Sequence, residues 1–301
     1  MSYALVFSGQ GMQHPDMLPW LQQGPILQAT SSKLGTTDWR VALASPAQAM
    51  DNRCAQIVLT GTALAAWAQL ASHLPAPHAV AGYSVGELAA FSAAGVFDAN
   101  TALDLAERRA AVMDACAAAT PGGLTGVIGM AMPRLEALCA ATGVAIAIHN
   151  GFDSAVVGGP NAALGAFEQA ATLLGTRCTR LRVAVASHTR WMQTARIGFA
   201  QALTPLAMAR PQRVLFGNVG GQIQTADAAR LALSAQMDRT VRWSECMDNL
   251  RARQVRCVLE VGPGQALARM WNQQHPDVPA RSCDEFRSAQ SVVRWVQHHL
   301  D

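Results

Sequence analysis

A serine sits inside Gly82-Tyr83-Ser84-Val85-Gly86, a G-x-S-x-G pentapeptide. The residues before it, His78–Gly82, read as a strand, and those after it as a helix that runs to Ala94 and stops at Gly95. A serine at such a strand-to-helix turn stands exposed on a sharp bend. It also faces a helix N-terminus, whose N–H groups can hold an oxyanion. The alternative reading is a plain glycine-rich turn. A serine hydroxyl needs a base, and eight histidines are available. His188 ends the run Val185-Ala186-Ser187-His188 that closes an apolar strand, and it opens a helix, where a side chain can enter a cleft at the carboxyl edge of a sheet. It reads as the base, against the alternative of a capping or surface histidine. His14, His73 and His78 flank turns, His298 and His299 lie in the last helical turn, His275 precedes Pro276 in a loop, and His149 ends a strand.

Arg109 carries a second chemical signal. In the helix 101–119 its neighbours one turn away are Leu105, Ala106, Val112 and Met113, an apolar stripe without an acid. A charge there is costly unless an anion meets it. It reads as a guanidinium clamp for a substrate carboxylate, against an arginine snorkelling to the surface. Arg108 has Asp104 four residues earlier and reads as a solvent-face ion pair. Two glycine loops, Gly9-Gln10-Gly11 and Gly262-Pro263-Gly264, follow apolar strands, and the N–H groups of the first could complete an oxyanion hole. Neither fits G-x-G-x-x-G, so a dinucleotide site has no support. Arg177, Arg180 and Arg182 recur along one strand, as a solvated face or an attractor for phosphate or an acidic partner.

These residues need a scaffold. Short apolar runs at Ala4–Phe7, His78–Gly82, Arg213–Asn218 and Cys257–Val261 alternate with helical stretches at Cys54–Leu70, after Asn100 as cap, after Ser187, near Ala226–Gln236 and at Ser288–His299. That alternation predicts an α/β fold with a parallel sheet. Between residues 123 and 185 the rhythm changes. Strands at Leu124–Met130, Val144–His149, Ser154–Gly158 and Cys178–Val183 enclose helices at Pro133–Ala141 and Ala162–Leu174, the latter capped by Asn161. The order β-α-β-β-α-β predicts an inserted ferredoxin-like subdomain at 123–185, with the catalytic domain formed by 1–122 and 186–301.

Composition narrows the classes. The chain has 301 residues, 50% hydrophobic and 14% charged, which excludes a disordered chain. The net charge of +3 gives no nucleic-acid footprint. Lys33 is the only lysine, which argues against a Lys-based P-loop or Schiff base. Seven scattered cysteines (Cys54, Cys116, Cys139, Cys178, Cys246, Cys257 and Cys283) form no C-x-x-C, so reduced thiols, no metal site and a cytoplasmic location are expected. No apolar run approaches a membrane span, and the N-terminus does not read as a signal peptide.

Taken in order, the landmarks resemble the malonyl-CoA:acyl-carrier-protein acyltransferase family over nearly the whole length. They are Phe7-Ser8-Gly9-Gln10-Gly11-Met12-Gln13, Gln56, Gly82-Tyr83-Ser84-Val85-Gly86-Glu87, Arg109, Asn150, Ser187-His188, Asn218-Val219, Gln236 and Glu260-Val261-Gly262-Pro263-Gly264. The resemblance implies an α/β-hydrolase-like core, Ser84 as a nucleophile that becomes malonylated and His188 as base and acid. It implies that Gln236 orients His188 through its carbonyl, and that the N–H groups of Gln10 and Val85 form the oxyanion hole. Arg109, with Gln56 and Asn150, would bind substrate. It implies no bound cofactor: a CoA thioester is the substrate and an acyl carrier protein the acceptor. Family members usually have His where Tyr83 stands. With Gly11-Met12-Gln13-His14-Pro15 near the start, this resembles the malonyltransferase (epsilon) subunits of malonate decarboxylase. Such a subunit would load a phosphoribosyl-dephospho-CoA carrier and meet other decarboxylase subunits. The alternatives are a malonyltransferase of fatty-acid or polyketide synthesis using a phosphopantetheine carrier, and an α/β-hydrolase-type esterase. Ala186-Ser187-His188 leaves malonyl against methylmalonyl selectivity open.

Overall fold

Tyr3–Phe7 is apolar at every position and buried at every position, so this strand must lie inside a sheet covered on both faces. The computed structural model describes residues 2–300; Met1 and Asp301, the outer limits of the expected catalytic domain, lie outside the described residues. In chain order the strands are β1 (Tyr3–Phe7), β2 (Ala79–Gly82), β3 (Gly122–Ile128), β4 (Ala145–Gly151), β5 (Ser154–Pro160) and β6 (Arg177–Arg180). They continue with β7 (Val214–Phe216), β8 (Gln222–Ile223), β9 (Val241–Arg242), β10 (Cys257–Val261) and β11 (Ala280–Ser282).

The larger sheet has the order β11-β10-β1-β2-β7-β8. Its first five strands run parallel, but β8 pairs antiparallel with β7, so the sheet is mixed rather than purely parallel. The reversal is short: Gly220 and Gly221, both at positive φ, fold the chain straight back. Alternate residues of β1 feed two different cores. Tyr3, Leu5 and Phe7 pack with helices Asn52–Ala71, Gly86–Ala93 and Ala99–Ala119, while Ala4 and Val6 face Trp243, Trp271 and the second sheet. Helix Asn52–Ala71 is long and apolar enough to cross a membrane by length and composition, and most of it is buried inside this core.

The smaller sheet has the order β6-β3-β5-β4-β9. Its first four strands are antiparallel neighbours. Helices Met132–Thr142 and Asn161–Leu173 share an apolar core with it through Leu135, Leu164 and Phe167. The fifth strand comes from beyond residue 186: β9 pairs parallel with β4, so the C-terminal half of the chain completes this sheet.

Several local expectations change. The strand expected at Cys178–Val183 ends at Arg180, because Leu181 and Val183 leave the sheet to pack against the core that joins the two sheets. Arg180 pairs with Glu168 at 2.8 Å rather than standing free. Helix Ala99–Ala119 is capped by Asp98, which accepts from the Thr101 N–H, and Asn100 lies inside it. Asn161 is the first residue of its helix and makes no capping bond. After Ser187 the chain makes a 3-10 turn, Arg190–Met192, before helix Gln193–Leu203 begins.

Candidate active site

Ser84 sits at the turn between β2 and helix Gly86–Ala93 with φ +55°, a left-handed conformation that non-glycine residues seldom adopt. The glycines on either side leave room for it. A Cβ on Gly82 would lie 2.2 Å from the Gly86 carbonyl oxygen, and one on Gly86 would lie 2.4 Å from the Phe7 carbonyl oxygen. Polar groups then hold the strained turn. The Ser84 N–H donates to Asn218 Oδ1 at 2.8 Å, and Asn218 Nδ2 donates to the Gly82 carbonyl at 2.5 Å. The Asn218 N–H in turn donates to Glu87 Oε1 at 2.5 Å.

The Ser84 hydroxyl lies 2.7 Å from His188 Nε2. His188 also has positive φ, +62°, which turns its ring back toward the elbow instead of along a helix. Its Nδ1 is 2.5 Å from the Gln236 carbonyl oxygen. A carbonyl only accepts, so Nδ1 carries the proton and Nε2 is left free to accept one from the serine. Burial, with the Arg109 guanidinium adding to it, pushes the His188 pKa down to about 3. The imidazole is therefore neutral across the ordinary pH range, with Nε2 unprotonated and able to accept a proton.

Arg109 is 1% exposed. Its guanidinium donates to Gln56 Oε1 at 2.8 Å and to Gln236 Oε1 at 3.1 Å, while its Nε has no partner. The Gln236 side chain continues the chain of contacts, donating to the Ser84 carbonyl at 3.3 Å. The stripe on its own helix is apolar as expected, but an acid reaches it from elsewhere. Glu87 faces Arg109 through space, and burial lifts the Glu87 pKa to about 8. Arg109 thus has two neutral amide acceptors and a nearby carboxyl, with no contact-distance ion pair. The expected Arg108–Asp104 pair does not form: Asp104 bonds Lys33 at 2.7 Å, and Arg108 points to solvent.

In front of Ser84 lies a cavity of about 280 Å³. Its walls join Gln10, Tyr83 and His188 with Leu124, Ile148 and Val156 of the smaller sheet. Among the described residues the N–H groups of Gln10 and Val85 donate to no protein acceptor, as an oxyanion site requires. Ser8, just before the Gln10 loop, donates to Glu260 Oε1 at 2.8 Å, and the Ala268 N–H donates to the other oxygen at 2.8 Å. A serine against a neutral, oriented imidazole beside free backbone donors can attack a carbonyl and carry an acyl group.

The acyl transferase domain model matches residues 4–300. The chain belongs to the acyl transferase family. The malonyl CoA-acyl carrier protein transacylase of Mycobacterium tuberculosis (strain H37Rv) is 33% identical over 298 residues, covering 93% of this chain and 95% of its own. That of Escherichia coli K12 is 30% identical over 281 residues, covering 88% and 90%. Among solved structures, the malonyl CoA-acyl carrier protein transacylase of Coxiella burnetii superposes with a TM-score of 0.92 at 26% identity, covering 100% of this chain and 98% of its own. A malonyl-transacylase solved in complex with its type II polyketide acyl-carrier protein gives 0.90 at 27% identity, covering 98% and 99%.

In this acyl transferase the fold brings Ser84, His188, Gln236, Arg109 and Gln56 into one continuous network. Asn150 joins through Tyr83 at the cavity wall. Glu87 and Asn218, landmarks of the sequence without an assigned role, form the clamp on the Ser84 turn. The Gln236 carbonyl meets His188 as the resemblance implied, whereas the contact of its side chain with Arg109 left no mark in the sequence.

Proposed function

We propose that this acyl transferase moves a malonyl group from malonyl-CoA to the thiol of an acyl carrier protein through a malonyl ester on Ser84. His188 Nε2 takes the Ser84 proton as the oxygen attacks the thioester carbonyl. The N–H groups of Gln10 and Val85 receive the oxyanion. The C–S bond breaks, and the His188 proton leaves with the CoA thiol. The carrier thiol then repeats the sequence in reverse, giving its proton to His188 and taking the malonyl group. The observation that carries the malonyl assignment is Arg109, a buried guanidinium whose hydrogen-bond acceptors are neutral glutamine oxygens and which is linked through Gln236 to the Ser84 backbone. A carboxylate replacing one of those oxygens would gain a charge-assisted bond.

The relatives reported above carry the transacylase name, which favours a phosphopantetheine carrier of fatty-acid or polyketide synthesis. The malonate decarboxylase role, with its phosphoribosyl-dephospho-CoA carrier and partner subunits, rests on Tyr83 and the run Gly11-Met12-Gln13-His14-Pro15 and is the weaker reading. We read the larger unit as an α/β-hydrolase-like core and the β3–β6 unit as an inserted ferredoxin-like subdomain. The order β6-β3-β5-β4 supports the second of these. The test is malonyl-CoA without acceptor, followed by mass spectrometry. One malonyl adduct should appear on the Ser84 peptide and leave on addition of carrier protein. An adduct on a cysteine, or hydrolysis that ignores the carrier, would overturn the assignment.

A further inference from the structure

Asn150 is an extra residue in β4. His149 pairs with Ala155 and Gly151 with Ser154, so Asn150 has no cross-strand partner and forms a bulge. Bulges next to active sites re-aim a side chain, and this one faces the cavity that holds Ser84. Two residues from the larger unit fix it. Gln274 Nε2 donates to its main-chain oxygen at 2.8 Å, and the Tyr83 hydroxyl donates to its side-chain Oδ1 at 3.1 Å. Tyr83 is itself held without slack. Its ring meets Trp243 edge-on with centroids 5.2 Å apart, and a Cβ on Gly9 would lie 2.7 Å from its Cδ1. Burial raises the phenol's pKa, so it stays a donor at every working pH. With Oδ1 turned to the Tyr83 hydroxyl, the Asn150 amide presents its two N–H donors on its other side, and among the described residues they have no protein acceptor.

We propose that Tyr83 is a positioning residue: it locks the Asn150 amide so that its N–H groups, not its oxygen, meet a carbonyl acceptor on the arm of the thioester substrate. The phenol neither touches the reacting atoms nor moves a proton. Because Tyr83 adjoins Ser84 in the chain, the arm is gripped from the same turn that presents the nucleophile. Without the phenol the amide is free to flip, and its oxygen would repel the carbonyl it is built to bind. The inference rests on the proposed transfer from a CoA thioester and adds to it the residue that registers the arm.

The experiment compares malonyl-CoA with malonyl-ethanethiol, a thioester that has no amide. Single-turnover acylation of Ser84 and steady-state kcat and KM are measured for wild type, Tyr83→Phe, Asn150→Ala and the double variant. One neutral hydrogen bond corresponds to roughly 3–10-fold. Tyr83→Phe should lower kcat/KM for malonyl-CoA by about that factor, mainly through KM, and Asn150→Ala should do the same. The double variant should be no worse than either single one. The preference for malonyl-CoA over malonyl-ethanethiol should shrink by the same factor. Equal losses on both thioesters, or additive losses in the double variant, would make Tyr83 merely structural and end the proposal. If wild type forms no Ser84 adduct from either thioester, the transfer reading itself fails and takes this proposal with it.

Discussion

Ser84 lies between two polar networks of opposite character. Behind it, Arg109, Glu87, Gln56 and Gln236 form a dry, ionisable cluster buried among the helices of the larger unit. In front, Tyr83 and Asn150 make one neutral hydrogen bond at the wall of the cavity, beside Leu124, Ile148 and Val156 of the smaller sheet. A buried cation without a contact-distance carboxylate discriminates by charge, because the penalty for leaving it unpaired is large. A phenol–amide pair discriminates by direction, and one neutral hydrogen bond corresponds to roughly 3–10-fold. On the proposed reading, the rear network selects the acyl group and the front one registers its carrier.

The harshest test removes the group that both networks serve. Ser84→Ala should abolish the malonyl adduct outright, and His188→Ala should slow acylation by roughly 10²–10⁴-fold with the fold intact. Mass spectrometry and rapid quench measure the two. Unchanged acylation in a folded His188→Ala variant would assign the base elsewhere.

Next comes the rear network. Arg109→Ala should lower kcat/KM for malonyl-CoA by about 10–100-fold or more, while acetyl transfer holds or rises. Arg109→Lys should recover only part, since an ammonium cannot grip both carboxylate oxygens. The exposed Arg108→Ala is the control and should do little. Equal losses of malonyl and acetyl transfer in Arg109→Ala would mean that the rear network is structural and the comparison wrong.

The pH dependence sharpens the contrast further. With the His188 pKa pushed down to about 3, single-turnover acylation should show no histidine-like loss as pH falls from 7 to 5. Stability behaves differently. An unfolded histidine takes a proton near its ordinary pKa of 6.5, so the unfolded state binds more protons below that value and stability falls from pH 6.5 downward. Glu87 has the opposite sign. Its pKa is raised from 4.5 to about 8, so the native state holds a proton that the unfolded chain has lost, and its contribution fades as pH rises through that window. Thermal melts from pH 4.5 to 8.5 should show a shallower alkaline decline in Glu87→Gln than in wild type. An unchanged slope would place the charge elsewhere in the rear network.

The smallest effect belongs to the front. Gly9→Ala would push a methyl group against Tyr83 and should destabilise the protein by about 1–3 kcal/mol. It should also weaken transfer, because Gln10 follows directly. A calorimetric shift without loss of transfer would separate the Gly9 contact from the oxyanion loop.

The sequence by itself determined the chemistry-bearing positions that have a local cause. Gly82 and Gly86 flank a serine because no side chain fits there, and that requirement is visible as a motif. The apolar stripe around Arg109 is visible because helical neighbours are three and four residues apart. The β-α-β-β-α-β order is likewise visible in alternating runs. Helices Pro25–Lys33 and Ala266–Gln274 were not, since turn residues and mixed polarity blur their periods. Tertiary structure alone decided which distant groups meet. Glu87 reaches Arg109 from another helix, Asn218 crosses to the elbow from beyond β7, and β9 completes a sheet that begins more than a hundred residues earlier. Those contacts are set by how sheets and helices stack, and a chain's local pattern records which side chains must be buried but not against whom.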